Sequence, residues 1–478
     1  MINGGLGQFP PYALLPVCRQ AGAKRSRRGY RRVEMRKLHK FSILKNVAAV
    51  AVFSVLYFGF CFTALAQSSD EDSGGGISSI PNPGVTPVSL SPIRPQEEVV
   101  VVLKESSSLS ALSWSKQFGA SQIYLLDSST LAYDMAIDSS GKIHVVYGDG
   151  VSLYYVSGNN LSDLNPYNRI NIPITGLNYI RNIALAVRKT VAGEVLYAVI
   201  AGKNTTNNQD EIRILNKNQN WSSSFVYSQS NIFFSFSSQI DFRIPKWNPN
   251  QAHIAFQEYD GNKTTNLYEI IYDFLTGAST VLQVNIPPTN TYPNTYPGLF
   301  GNVKPFNFVV DYYGPLMIFK EPDPVNIGVP LRGVHLSSRS NSQSQWDPPF
   351  LDLSGVLFSD ACYSDLGLTF LATVEGFGDH TWGGGVLNFR FGHGNFFSSE
   401  IEIERAQNPF FGKKYVLPTL PKQGYLNTPN ATIYVGVYVN YDGLQIFYTT
   451  NNFVGPWQKT PILYNSIRGI ASMRMEVR

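Results

Sequence analysis

Five aspartates stand at equivalent places in a repeating pattern: Asp149, Asp260, Asp323, Asp379 and Asp442. Each falls in a connection between the second and third strand-like runs of a unit, in settings such as Gly148-Asp149-Gly150, Tyr259-Asp260-Gly261 and Tyr441-Asp442-Gly443. Two readings fit them. Asp-Gly is the pair a tight hairpin turn requires. Carboxylates gathered on one face of a ring would also form an acidic rim for a cation or a basic partner. The loop Gly376-Phe377-Gly378-Asp379-His380-Thr381-Trp382-Gly383-Gly384-Gly385 places His380 and Trp382 on a glycine-rich backbone. A Trp and a His so displayed suit contact with a carbohydrate or peptide, and the plainer reading is a flexible hairpin connection. His144, His253, His335, His380 and His393 show no metal-ligand spacing. Neither a phosphate-binding glycine loop nor a nucleophile elbow occurs, so neither metal nor cofactor is expected. Cys362 sits in the run Ser359-Asp360-Ala361-Cys362-Tyr363 without a histidine beside it in sequence, as a buried small hydrophobe would.

These residues must be carried by strands. Of the 478 residues, 43% are hydrophobic, 13% aromatic and only 15% charged, which disfavours long solvated helices and disorder. From Glu97 onward, apolar runs of five to eight residues alternate with turn signals, and no long 3.6-residue period interrupts them. One unit reads Tyr133 to Asp138, the turn Ser139 to Lys142, Ile143 to Tyr147, Gly148-Asp149-Gly150, then Leu153 to Val156. The same grammar returns around Ile240 to Tyr268 and around Ile433 to Tyr448. Inner-strand anchors at Ile137, Val187, Ile244, Val310, Ser364, Thr419 and Val477 are spaced by 50, 57, 66, 54, 55 and 58 residues, the length of a four-stranded propeller blade with generous loops. The expected fold is an all-β propeller over 97–478, with seven four-stranded blades. The last anchor has no partner strands after it, whereas Val99 to Lys104, Ala111 to Phe118 and Gln122 to Leu126 precede the first unit. The economical solution is a composite blade closed by both groups of strands, because an unpaired inner strand would expose its polar backbone. Six blades with an extra strand is the alternative.

This blade grammar resembles secreted bacterial propellers of the broad sialidase-like, Asp-box-containing group. Thr450-Asn451-Asn452-Phe453-Val454-Gly455-Pro456-Trp457 is similar to an Asp box, with Asn at the Asp position and the glycine displaced by one; Asn216 to Trp221 and Asn341 to Trp346 are fainter versions. Phe242-Arg243-Ile244-Pro245 matches the sialidase segment whose arginine grips the substrate carboxylate. The resemblance implies that Arg390 and Arg474 would complete an arginine cluster, beside a Tyr activated by Glu and an Asp acid/base. The tetrapeptide lies mid-chain here, not near the start of the domain, and no Tyr/Glu pair can be assigned. The leading expectation is a non-enzymatic binding or scaffold module with an unknown protein or carbohydrate ligand. A sialidase-like glycoside hydrolase using Arg243, or another propeller-borne carbohydrate enzyme, is the alternative.

Charge and the first 96 residues bear on location. Of 38 basic and 34 acidic residues, eleven and one fall in 1–66, which leaves 27 and 33 and a net charge of about −6 for the rest. That count lacks the basic footprint of a nucleic-acid binder. Met35 opens a basic segment, Val47 to Phe62 is apolar, and Ala64-Leu65-Ala66 is a small-x-small cleavage site. Residues 35–66 therefore read as a signal peptide, and 1–34 as a long basic leader or a start assigned too early. The rival is an uncleaved anchor over Val47 to Ala66, the only route to a membrane in this reading. Phe60 before Cys61 argues against lipidation. Residues 67–96, rich in Ser, Gly and Pro, form a spacer that cannot bury a core. With one cysteine left after cleavage, no internal disulfide is expected. The destination is periplasmic, extracellular or cell-surface. Intact mass of the protein recovered outside the cytoplasm should match a chain starting at Gln67; a membrane-bound product that keeps Val47 to Ala66 would establish the anchor instead.

Overall fold

A computed structural model of the chain describes residues 97–229, 240–260, 263–284, 292–293, 306–320, 333–363, 368–376, 384–406, 415–422, 432–439, 442–450, 455–465 and 470–478. The segments 1–34, 35–66 and 67–96 lie outside the described residues. The described strands form seven antiparallel sheets, six built on successive strands and one joining strands from both ends of the described chain. The innermost strands are Ala132–Ile137, Leu177–Thr190, Ile240–Arg243, Phe306–Val310, Val356–Tyr363, Tyr415–Thr419 and Ser472–Val477, here numbered blades 1 to 7. Each packs against the inner strand of the next blade, and that of blade 7 packs against blade 1. The fold is an all-β, seven-bladed propeller.

The ring closes through a composite blade. Ser472–Val477 pairs with Glu98–Glu105, with Val99 opposite Val477, Val101 opposite Met475 and Leu103 opposite Met473. The Glu98 amide donates to the Arg478 carbonyl at 2.9 Å, and the Arg478 amide returns the bond at 3.0 Å. Ser108–Ser115 then pairs with Glu98–Glu105, and Gly119–Ala120 and Tyr124–Asp127 complete the sheet. The sequence Val99-Val100-Val101-Val102-Leu103 explains the placement. A run apolar at every position belongs to a strand covered on both faces, and successive side chains point to opposite faces. Val99, Val101 and Leu103 pack with blade 6 residues, while Val100 and Val102 pack with blade 1 residues. The expected second strand, Ala111 to Phe118, begins and ends three residues earlier. Phe118 lies beyond its end and is exposed, its amide donating to the Ser115 hydroxyl at 3.1 Å across a turn.

The core lies between blades. Separate hydrophobic clusters join blades 1 and 2, 2 and 3, 3 and 4, and 4 and 5, and a larger one joins 5, 6 and 7. The segments that ended in Trp221, Trp346 and Trp457 occupy one topological position, between the third and outer strands of blades 2, 4 and 6. Each tryptophan leans on the preceding blade. Trp221 lies 5.0 Å from the Tyr155 ring, Trp346 joins Ala255 and Leu267, and Trp457 meets Phe389 edge-on at 5.4 Å. A buried ionic clamp also links blades 3 and 4. Glu269 accepts from Arg339 Nε and an Arg339 terminal nitrogen, both at 2.6 Å, and contacts His253 Nδ1 at 2.7 Å. Burial pushes the Glu269 carboxyl up, but His253 and Arg339 outweigh it and hold the group below its usual range.

Ile137, Ile244, Val310, Thr419 and Val477 fall at or next to the ends of the inner strands, Val187 lies three residues before the end of its longer strand, and Ser364 is outside the described residues. Ile244 follows its strand directly, because Pro245 supplies no amide for a further rung. In blade 6 the second and third strands meet at Gly443, whose φ is +123°. A Cβ there would fall 2.0 Å from the Tyr464 carbonyl oxygen, so only glycine fits this turn.

Candidate functional site

The inner strands carry polar residues in otherwise apolar runs: Tyr133-Asp134-Met135, Ile240-Asp241-Phe242, Phe306-Asn307-Phe308 and Ser359-Asp360-Ala361. All four polar residues are buried. An uncompensated carboxylate there would be costly, and each finds partners. Asp134 accepts from the Leu185 amide of blade 2 at 2.7 Å, and Asp360 accepts from the Leu420 amide of blade 6 at 2.8 Å. The Asn307 amide donates to Ser359 of blade 5, at 3.0 Å to the carbonyl and 2.8 Å to the hydroxyl. Three of the four thus hold the next blade.

Cations complete the centre. Lys422 Nζ donates to Asp134 at 2.6 Å and to the Leu185 carbonyl at 2.9 Å. Arg474 Nε donates to the other Asp134 oxygen at 3.0 Å. Arg243 pairs with Asp241, its Nε 3.0 Å from one oxygen and a terminal nitrogen donating to the other at 3.1 Å, and donates to the Lys422 carbonyl at 2.8 Å. Asp134, Asp241 and Asp360 thus face Arg243, Lys422 and Arg474, with equal positive and negative charge. The space among them is about 20 Å³, roughly what one water needs. Burial raises the Asp134 carboxyl, but Lys422 and Arg474 more than reverse this and hold it below its usual range. Burial likewise opposes the Arg474 charge, and Asp134 chief among its neighbours raises its pKa above the ordinary value.

This network floors a larger recess. A cavity of 570 Å³ opens where the inner strands end, lined by Ile137, Val187, Ile244, Val310, Tyr363 and Val477, with Arg243 and Lys422 among its polar groups. Its volume lies within the range of small-ligand sites. Connections from first to second strands and from third to fourth strands border it, including Asp138 and Asn159, together with the paired strand-end residues Lys189 and Glu194 of blade 2; this side is called the lower face. The Asp138 carboxylate is engaged by the Ser140 amide and hydroxyl, the Lys142 amide and His144 Nε2. Glu194 accepts from the Ser139 amide at 2.7 Å and so ties blade 2 to blade 1.

Asp149, Asp260 and Asp442 belong to the opposite, upper face, because the second-to-third connections of their blades return there. Asp149 is such a turn residue: one carboxylate oxygen accepts from the Val151 and Ser152 amides at 2.9 and 2.7 Å. Asp442 stands in the equivalent turn of blade 6, its amide donating to the Val439 carbonyl at 3.1 Å. Asp260 ends the second strand of blade 3. Asp323, Asp379, His380 and Trp382 lie outside the described residues. Among the described residues, no His, Cys, Asp or Glu group gathers as a metal site. Cys362 is fully buried, and burial followed by the Asp360 charge pushes its thiol well up.

Of the three arginines in the proposed cluster, the structure joins Arg243 and Arg474 only. Arg390 is on the third strand of blade 5, donating to Glu400 at 2.8 Å. The members that sequence reasoning passed over are Asp134, Asp241, Asp360 and Lys422. The available signal was a charged or amide residue three positions before an anchor, as in Asp134 before Ile137, Asp241 before Ile244 and Asn307 before Val310.

No protein-family description matches the chain, and no curated protein matches it. Solved structures do. The fucose-specific lectin of Aleuria aurantia, a six-bladed propeller, aligns at 11% identity over 71% of this chain and 97% of its own, with a TM-score of 0.36. A polysaccharide lyase aligns at 9% identity over 71% and 85%, at 0.41. An α-L-arabinofuranosidase of Fusarium graminearum aligns at 8% identity over 71% and 82%, at 0.37. Likenesses this distant carry no ligand or residue role across.

The network yields a stability test. Asp134→Asn leaves Lys422 and Arg474 without their shared carboxylate and should cost about 3–5 kcal/mol in urea unfolding at neutral pH. The folded Asp134 pKa is depressed, so its contribution is complete above the unfolded value of 3.8 and fades as pH falls through the folded value. The gap between wild type and variant should therefore narrow in acid. Equal unfolding midpoints at neutral pH would contradict the role assigned to Asp134.

Proposed function

We propose that this protein is an exported binding module, secreted or held at the cell surface, that recognises a carbohydrate or protein ligand through its lower face. The observation that carries this reading is the cavity at the mouth of the ring. Its walls are the ends of inner strands, held by the sheets behind them, so the recess is formed before any ligand arrives. Its floor presents Arg243 and Lys422 already fixed by Asp241 and Asp134, which suits positioning a ligand more than releasing a charged group for reaction. The leader at 35–66, with a basic segment followed by an apolar one, supports export, and the eleven basic residues of 1–66 carry the basic balance of the whole chain.

The test uses the purified protein with a panel of neutral and uronic-acid oligosaccharides, binding followed by calorimetry and chain length by product analysis. Saturable binding with unchanged chain length is expected. Ile244→Trp, which fills the recess from a half-buried position, should weaken cavity-held ligands about tenfold or more while leaving the melting temperature close to wild type. Shortened products that vanish in Arg243→Ala would replace this reading with a glycoside hydrolase. Binding of the uronic-acid members that is indifferent to Ile244→Trp would move recognition off the cavity, where Arg243 and Lys422 stand.

A further inference from the structure

Beside the cavity, the lower face carries aromatic rings drawn from three blades. Trp247, two residues past the cavity-lining Pro245, lies 6.0 Å from Tyr312. Tyr312 lies 6.0 Å from Tyr313, Tyr313 lies 5.0 Å from His393, and His393 lies 5.9 Å from Phe396. The row thus crosses from the first-to-second connection of blade 3, through that of blade 4, to the facing ends of the third and fourth strands of blade 5. Tyr312, Tyr313 and Phe396 are 64%, 54% and 73% exposed. A contiguous exposed aromatic surface is unfavourable in water unless something covers it.

The row is held in place. Asp311, itself 1% exposed, accepts from the Tyr313 and Gly314 amides at 2.8 and 2.9 Å and from the Gly394 amide of blade 5 at 3.0 Å. One buried carboxylate therefore fixes both turns that carry Tyr313 and His393. Asn341 donates its amide side chain to the Tyr312 carbonyl at 2.9 Å and its backbone amide to the Tyr313 carbonyl at 3.1 Å. The rings meet a ligand with little ordering left to do.

We propose that this row binds a single neutral oligosaccharide chain, whose C–H faces cover the rings. The inference rests on the reading of the lower face as a recognition surface and names a ligand class and a site for it. Two features select the occupant. The loop beside the row is Ser340-Asn341-Ser342-Gln343-Ser344-Gln345, exposed throughout and without a charge. Hydroxyls and amides that both donate and accept match a ligand dense in hydroxyls. A proline-rich peptide offers carbonyls but almost no donors, and an anionic membrane calls for lysines and arginines. Ring orientation then excludes a flat partner. Tyr312 stands at 71° to Trp247 and at 88° to Tyr313, so a crystalline polysaccharide surface cannot lie flat across the row. A twisting single chain can present faces and edges in turn.

The experiment titrates the full exported protein with neutral hexasaccharides of gluco-, xylo- and manno-configuration, and in parallel with a proline-rich peptide and with anionic phospholipid vesicles. At least one hexasaccharide should bind, with an affinity insensitive to salt, since no charge is involved. Tyr313→Ala and Phe396→Ala should each weaken it about three- to tenfold, and Tyr313→Phe should retain it, because the ring makes the contact. These side chains are exposed, so the variants should melt as wild type does. Ile244→Trp should leave this binding intact, which separates the row from the cavity: loss in Ile244→Trp alone assigns the sugar to the cavity and overturns the row. Hexasaccharide binding unchanged in Tyr313→Ala and Phe396→Ala overturns it as well, as does binding of the peptide or vesicles without any hexasaccharide.

Discussion

The pairing of Ser472–Val477 with Glu98–Glu105 is the constraint on which the rest of this molecule depends. A blade covers one face with each neighbour, so a row of blades buries its apolar faces completely only when the last meets the first. Here that meeting happens inside one sheet, with strands from opposite ends of the described chain exchanging backbone hydrogen bonds. Side chains reinforce it outward. Arg478 Nε donates to Glu98 at 2.7 Å while its guanidinium also reaches the carbonyls of Asn159 and Gly141 in blade 1. Arg474 reaches Asp134 in blade 1, and the Tyr434 hydroxyl of blade 6 donates to Glu97 at 2.8 Å.

Within the closed ring, contacts run in both directions around the circle. Polar residues on the inner strands reach forward to the next blade, as Asp134 does to Leu185 and Asp360 to Leu420. Tryptophans beside the outer strands reach back, as Trp221 does to Tyr155. Apolar clusters fill the spaces between. Because each blade is held by two others, local loosening is opposed from both sides, and the lower face inherits that rigidity. The cavity and the aromatic row are both assembled from connections of several blades, and their geometry is only as fixed as the ring beneath them. The buried charges fit this picture: they stabilise little by themselves, but they set which strand end stands beside which.

The scaffold was legible in the sequence because backbone rules and apolar patterning act locally. Asp-Gly turns marked the strand ends, the five-residue apolar run from Val99 to Leu103 marked a strand buried on both faces, and the anchor at Val477 without following strands called for partners from elsewhere. The lower face was not legible to the same degree. The five repeated aspartates drew attention through their spacing, yet Asp149 works within its own turn, on the face away from the cavity. Asp134 and Asp360 were visible inside apolar runs, but only the ring shows that Lys422, 288 residues later, returns to meet Asp134. Trp247, Tyr312, Tyr313, His393 and Phe396 share no motif, since three blades contribute them and only the topology puts their turns on one side.

The closure can be examined at places remote from it. Trp221, Trp346 and Trp457 report on the boundaries of blades 1 and 2, 3 and 4, and 5 and 6. The decisive measurement is equilibrium unfolding of a chain lacking residues 470–478, followed by fluorescence in variants that retain one of these tryptophans at a time. If the composite blade holds the ring, all three reporters lose their native transition together, although only nine residues are gone. A loss confined to blade 7, with all three tryptophans unfolding at the midpoints seen in the intact chain, would contradict the account.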